Sequence, residues 1–254
     1  MNLAGGVALS FGLNYILFES LWTLETEKKL VYASKSRQVS NIHCVVAISS
    51  VLAFLWCAPM EDISITELAT SNYTGFYGDW IRFTMYFSLG YFLHDLIRIL
   101  QNEPEDLPII FHHVIMCICI FCAQFMGYYG NLQFMCLLEE SSTPFLNMRY
   151  FERKDRNSHR YKVAEGLFAV FFFLSRLIVG NFWAYVVYTI SVPWSFRNLG
   201  GIYFLHMIVQ VTLFTGSRLL NLFWFWKIVA MVVRHNTKNL KFTTKKPNTC
   251  KSAE

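Results

Sequence analysis

The chain has 254 residues, of which 54% are hydrophobic, 17% aromatic and only 15% charged, and its formal net charge is +5. This composition excludes an ordinary soluble domain, because the apolar blocks run almost from end to end. The blocks are continuous and do not alternate over about ten residues, which excludes a transmembrane β-barrel. We therefore predict an all-α, polytopic membrane helical bundle of about seven transmembrane helices.

Seven apolar stretches approach the roughly 20 residues that cross a bilayer as a helix. In chain order they are Leu3–Trp22, Ile42–Ala58, Trp80–Ile99, Leu107–Tyr129, Leu132–Leu146, Val163–Ile190 and Gly201–Val233. The first lacks the basic start and the small-residue cleavage site of a removable signal peptide, so we expect it to be retained. The fifth is short, and Pro144 near its end predicts a kink.

Basic residues beside these stretches predict the orientation, since cytoplasmic flanks carry the excess of Lys and Arg. One side collects residues 28–37, 149–162 and the basic tail, whereas the other side holds Arg197. The N-terminus is therefore expected in the lumen or outside the cell and the C-terminus in the cytosol. Asn72, in a sequon of the opposite loop, is a glycosylation candidate on the lumenal side. The charge indicates topology and attraction to anionic lipid, and it predicts no nucleic-acid partner.

Domain boundaries follow from the same patterns. Residues 1–29 are expected to hold the first span and the start of a cytosolic loop, residues 30–233 a membrane domain, and residues 234–254 a disordered, basic cytosolic tail. Seven cysteines show no paired framework, and a lone C-x-x-C at residues 119–122 lies inside a span without a second pair. We predict neither a metal site nor a redox motif.

Ionisable and amide side chains within the spans are the candidate functional residues. A charge in hydrocarbon costs roughly 2.5 to 3.5 kcal/mol, so an ionisable residue inside a span is first considered as part of a functional site. A helical rise of about 1.5 Å per residue places most of them in the cytosolic half. The candidate catalytic residues are His112, His113, Asp95 and Glu140, and the candidate substrate-binding residues are His43, His94, Asn147, Arg149, Arg176 and Arg218. The alternative is that these groups are hydrogen-bonding contacts between helices, without chemistry.

Two adjacent histidines cannot both face one point, because neighbours on a helix are about 100° apart, yet both can line a wide cavity. An imidazole can act as acid, base or nucleophile when a carboxylate such as Asp95 or Glu140 fixes its tautomer. Arg176, deep in the sixth stretch, is expected to pair with a carboxylate. Glu139, Glu140 and Glu165 could each supply that partner.

Four segments in order resemble the TLC domain family, named for the translocon-associated protein, the longevity-assurance ceramide synthases and the neuronal ceroid-lipofuscinosis protein. Residues 140–151 resemble its E-x-S-[ST]-P-F-x-N-x-R-[WYF]-F signature, and residues 36–43 its S-R-x-V-S-x-x-H motif. Residues 90–95 resemble its G-Y-[FL]-x-x-D motif, and residues 111–113 carry its double histidine. The resemblance covers about residues 30–230. Within the family it is closest to the subgroup of small TLC domain-containing proteins numbered 4 and 5.

This resemblance implies a helical bundle around an intramembrane cavity, in the endoplasmic reticulum or another cell membrane, with membrane lipids as partners. One hypothesis is a protein of lipid homeostasis that affects phospholipid or sphingolipid composition without a cofactor. A second is an acyltransferase with acyl-CoA as possible substrate, in which His112 or His113 acts as base or nucleophile. Ceramide synthases carry an aspartate-rich stretch where this chain has Leu138–Pro144, which argues against ceramide synthesis. A third hypothesis is a cargo or trafficking receptor.

Overall fold

The computed structural model describes residues 2–59, 61 and 63–243, and the regular elements in this part of the chain are all helices. They are α1 (Leu3–Ser20), α2 (Lys28–Cys57), α3 (Ile65–Thr70), α4 (Gly75–Asn102), α5 (Leu107–Met126), α6 (Gly130–Cys136), α7 (Thr143–Phe151), α8 (His159–Phe172), α9 (Gly180–Val186), α10 (Val192–Asn198) and α11 (Gly201–Thr243). A 3-10 segment, Leu137–Ser142, joins α6 to α7. The all-α prediction is confirmed.

Four helices of the described chain are long and apolar enough to cross a membrane by length and composition. They are α1, α2, α5 and the continuous helix His159–Asn198, which contains α8, α9 and α10. These helices support an integral membrane bundle. The total of seven spans remains a prediction, because the other three stretches do not meet the same criteria.

Contacts between loops show which of them share an end of the bundle. Glu25, between α1 and α2, pairs with Arg153 after α7 at 3.3 Å, so the two basic connections lie at one end. At the other end, the ring of Tyr128 after α5 packs against Trp194 of α10, with ring centroids 6.0 Å apart, and Arg197 lies in the same helix. The basic connections are thus segregated from Arg197, as the charge pattern predicted.

The fifth apolar stretch, Leu132–Leu146, lies in a segment that runs from Gly130 at one end of the bundle to Phe151 at the other, and this segment is not one α-helix. Its middle is the 3-10 segment, and Pro144 occupies the first turn of α7 that follows. Proline is suited to a first turn because it lacks the N–H that an α-helix interior requires. A 3-10 helix has three residues per turn, so the adjacent side chains of Glu139 and Glu140 diverge by about 120° and reach different partners.

The long helix His159–Asn198 contains two wider π-helical turns, Phe173–Val179 and Val187–Ser191. Such turns are rare inside α-helices and are frequent at functional sites. The first one carries Arg176, which is buried at 6% exposure and points into the bundle.

Close packing of α1 on α4 depends on Gly90. A Cβ atom at this position would lie 2.7 Å from the backbone nitrogen of Phe11 and would also meet the Ser10 side chain. Ser10 Oγ donates a hydrogen bond to the Phe87 carbonyl at 2.8 Å, which the close approach permits. Only glycine therefore lets the two helices lie this near.

The last helix, α11, continues to Thr243, whereas the sequence predicted a disordered tail from residue 234. Extending an existing helix costs less than starting one, because each added residue gains a hydrogen bond without a new nucleation step. The rest of the predicted tail, residues 244–254, lies outside the described residues.

Candidate functional site

A cavity of about 410 Å³ lies between α2, α4, α5, α7, α8 and α11. This volume is in the usual range of small-molecule sites. Seven of the ten candidate site residues line it, namely Asp95, His112, His113, Glu140, Asn147, Arg149 and Arg176. The cavity therefore brings together residues of the third, fourth, fifth and sixth stretches.

The cavity lining mixes two kinds of chemistry. The histidines, their carboxylates and Arg176 are polar. An apolar wall is contributed by α7, α8 and α11, with the side chains Leu146, Phe168, Phe172, Trp224 and Ile228. The two kinds of group touch, because Arg176 lies over the Phe172 ring at 5.5 Å and the Trp224 ring lies 5.6 Å from that of His112. A cavity with both kinds of lining suits an amphiphile.

The ring nitrogens of His113 both lie close to oxygen atoms. Its Nε2 lies 2.9 Å from Asp95 Oδ2, and its Nδ1 lies 3.0 Å from the Ile109 carbonyl oxygen. Asp95 Oδ1 accepts a hydrogen bond from Ser36 Oγ at 2.7 Å, which fixes the carboxylate. Nδ1 is hydrogen-bonded to Ile109, whereas Nε2 is buried against Asp95 without the geometry of a hydrogen bond, so this histidine has no nitrogen open to a ligand.

His112 differs in this respect. Its Nε2 lies 3.7 Å from Glu140 Oε1, beyond hydrogen-bonding distance, and neither ring nitrogen is hydrogen-bonded to a described residue. Glu140 is itself held in place, since Oε2 accepts from Thr143 Oγ1 at 2.8 Å and Oε1 lies 3.3 Å from Arg176 Nη2. His112 is therefore the histidine whose nitrogen remains available at the cavity.

Two buried ion pairs form a network behind these residues. Arg218 Nη2 donates to both oxygens of Glu139 at 2.6 Å, and Arg176 pairs with Glu140. Asn221 joins them, because its Nδ2 donates to Glu139 Oε2 at 3.0 Å and its Oδ1 accepts from Arg176 Nη1 at 3.2 Å. Arg176 thus has a carboxylate partner, as expected from its depth in the bundle.

Arg218 does not line the cavity, although the sequence predicted it as a substrate-binding residue. It lines a second pocket of about 30 Å³, which is also lined by Glu139 and which shares His112, Glu140 and Arg176 with the main cavity. A Cβ atom on Gly180 would collide with the Arg218 guanidinium, so this glycine makes room for the Glu139–Arg218 pair. Arg218 therefore forms a structural ion pair with Glu139 and is not placed to contact a ligand in the main cavity.

His43 and His94 also lie outside the cavity lining. The His43 ring is fully buried, stacks on Tyr91 with centroids 4.0 Å apart, and has Nε2 3.1 Å from Ser88 Oγ. His94 faces α1, with its ring 5.6 Å from that of Phe18. Its neighbour Asp95 faces the cavity, because adjacent helical positions diverge by about 100°.

The sequence interpretation missed Arg37 as a site residue, counting it only as a basic flank and a motif position. In the structure it lines the cavity, and its Nη1 donates to Asn147 Oδ1 at 3.1 Å. Asn147 Nδ2 donates in return to the Arg37 carbonyl at 3.2 Å, so α2 and α7 are held together here. The S-R motif at residues 36 and 37 was the available signal, since Ser36 also reaches the site through Asp95.

Asn72, the glycosylation candidate, has both ends of its side-chain amide engaged. Its Nδ2 donates to the Ala123 carbonyl at 3.2 Å, and its Oδ1 accepts from the Gly130 backbone N–H at 2.6 Å. A glycan is attached through Nδ2, so it would have to disturb the contact between this loop and α5.

Comparison with known proteins identifies a family and a similar relative. The family model of the TLC domain matches residues 34–230, a span that contains every candidate catalytic and binding residue. The chain is also similar to TLC domain-containing protein 4-B of Danio rerio, with 27% identity over 220 residues. That alignment covers 81% of this chain and 76% of the relative.

Proposed function

Since the chain belongs to the TLC domain family, we propose that it is a multi-pass protein of lipid homeostasis that handles phospholipids or sphingolipids through its cavity. The observation that carries the proposal is that one cavity is lined both by charged side chains and by aromatic and aliphatic side chains. Within a bilayer, lipids are the abundant molecules with a polar head and an apolar chain. We place the protein in the endoplasmic reticulum or another cell membrane, with the basic end of the bundle in the cytosol.

Lipid retained by the purified protein tests this proposal. Mass spectrometry of the extract should find a lipid class enriched over the surrounding membrane. Phe172→Trp should reduce that enrichment, because Phe172 is 3% exposed and lines the apolar wall. Phe173→Trp is the matched control, since this adjacent ring is 43% exposed and lies outside the cavity. No enrichment in the unaltered protein, or equal loss in both variants, would contradict the proposal.

Acyl transfer is a second candidate, favoured by the available nitrogen of His112 beside Glu140. His112 would take the proton of an acceptor hydroxyl or amine as that group attacks the thioester carbonyl of acyl-CoA. The carbon–sulfur bond then breaks, and the CoA thiolate receives the proton from His112. The Asp95–His113 pair would orient the site from its other side.

Transfer of a labelled acyl group from acyl-CoA to a lipid acceptor tests this second candidate. His112→Gln should abolish transfer, whereas His94→Gln should leave it unchanged because His94 faces α1. Both proteins should show equal expression and elution by size-exclusion chromatography. Full transfer by His112→Gln would exclude the mechanism.

A further inference from the structure

Arg37 lines the cavity and has no carboxylate partner in the described part of the chain. Three other arginines in the bundle interior are each paired within 3.3 Å, namely Arg149 with Glu165, Arg176 with Glu140 and Arg218 with Glu139. Arg37 has no such partner within 4.0 Å among the described residues. Its Nη1 bonds to a neutral amide, its Nε is buried without a hydrogen-bond partner, and its guanidinium lies over the Tyr150 ring at 4.1 Å.

A second cation lines the same cavity. Lys227 of α11 is exposed, lies over the Phe223 ring at 4.3 Å, and also lacks a carboxylate within 4.0 Å in the described part of the chain. An unpaired guanidinium in a helical bundle is costly unless an anion or hydrogen-bond acceptors compensate it. The Tyr150 ring compensates part of the Arg37 charge, and a bound anionic group would supply the counter-charge that an uncharged ring does not.

The cavity also has unpaired carboxylates, which restrict the kind of anion. Glu103 and Asp106, in the connection between α4 and α5, line it without an ion pair to a described residue. They oppose a small free anion by like-charge repulsion. A ligand that also buries a hydrocarbon chain gains affinity from the apolar wall, at about fourfold for each buried CH₂ group.

We propose that the cavity binds a phosphate-bearing amphiphile, with its phosphate oxygens at Arg37 and its chain along Phe168, Phe172 and Ile228. The proposal rests on the lipid-handling function given above and names the ligand class of that same cavity. Guanidinium groups bind phosphate oxygens by paired, charge-assisted hydrogen bonds, and a phosphate ester offers more acceptors than a carboxylate. A phospholipid head group and the phosphates of acyl-CoA share this chemistry.

Trp224 provides a direct signal for the chain, since it lines the cavity and its ring lies 5.6 Å from His112. A dibromostearoyl chain quenches the fluorescence of a tryptophan that it contacts. The full-length protein in detergent is titrated with dibromostearoyl lysophosphatidic acid, dibromostearoyl-CoA and the neutral dibromostearoyl monoacylglycerol. Quenching that disappears in Trp224→Phe reports occupancy of the cavity, and inorganic phosphate and oleate serve as competitors.

At least one phosphate-bearing ligand should bind about 10-fold to 100-fold more tightly than the monoacylglycerol, the range expected for charge-assisted hydrogen bonds. Arg37→Gln should remove this preference. Lys28→Gln is the matched control, because Lys28 is an exposed cation at the start of the same helix and outside the cavity. If the protein prefers lysophosphatidic acid, the phosphate that it binds belongs to a lipid head group. If it prefers the CoA ester, the phosphate belongs to an acyl donor.

Equal binding of the monoacylglycerol, or competition by oleate as strong as that by lysophosphatidic acid, would overturn the phosphate proposal and leave lipid handling intact. Quenching by none of the ligands would instead contradict lipid handling. Arg37 also holds Asn147, so Arg37→Gln could fail to fold. In that case Lys227→Gln, at an exposed position, should lower the preference for phosphate, and an unchanged preference would overturn the proposal.

Discussion

Glu140→Gln should destabilise the protein markedly, because it removes the counter-charge of a buried arginine. The side chains of Glu140 and Arg176 are only 8% and 7% exposed, and their atoms approach to 3.3 Å. Breaking a buried pair costs about 3 to 5 kcal/mol. Glutamine keeps an oxygen that can accept from Arg176 or Thr143, so we expect about 2 to 4 kcal/mol. For a chain of this size that corresponds to a fall in unfolding temperature of roughly 4 to 15 °C.

Glu165→Gln is the matched control for this prediction. Its pair with Arg149 has side chains 23% and 27% exposed, and pairs in contact with solvent contribute up to about 1 kcal/mol. Tryptophan fluorescence during heating, in one detergent for all variants, measures the difference. The double variant Glu140→Gln, Arg176→Gln should lose less than the sum of the single changes, because it leaves no unpaired charge. Equal shifts for Glu140→Gln and Glu165→Gln would refute the reasoning.

Gly90→Ala should lower the unfolding temperature by an amount equivalent to about 1 to 3 kcal/mol, because the methyl group collides with α1; an unchanged temperature contradicts this packing. His94→Phe should retain both stability and bound lipid, since neither ring nitrogen has a hydrogen-bond partner, and lost lipid binding would move His94 into the site. Asn72→Gln should cost about 1 kcal/mol in stability without a change in electrophoretic mobility, whereas faster migration would reveal a glycan on the unaltered protein. A glycosylation reporter after Arg153 should remain unmodified, and its modification would reverse the proposed orientation.

The members of the site were largely predictable from the sequence. Asp95, His112, His113 and Glu140 are ionisable groups in apolar stretches, and their positions along the helices place them at a similar depth. The cost of charge in hydrocarbon requires such groups to face the bundle interior, and the structure places all four on one cavity.

The pairing of these groups depended on the tertiary structure. Sequence spacing could not choose among three carboxylates for Arg176, nor show that Arg218 turns away from the cavity towards Glu139. The choice follows from the 3-10 segment and the π turn, which rotate side chains away from the directions of a regular α-helix.

The sequence by itself determined the membrane class, the helical segments, the segregation of basic loops and the family motifs, because composition, periodicity and charge are local properties of the chain. Only the tertiary structure decided that His112 keeps an available nitrogen, that His113 is bonded to Ile109 and buried against Asp95, and that Arg37 has no carboxylate within 4.0 Å among the described residues. Those outcomes depend on how each helix is rotated about its own axis against its neighbours. That rotation is set by packing between residues far apart in the chain, such as Gly90 against α1.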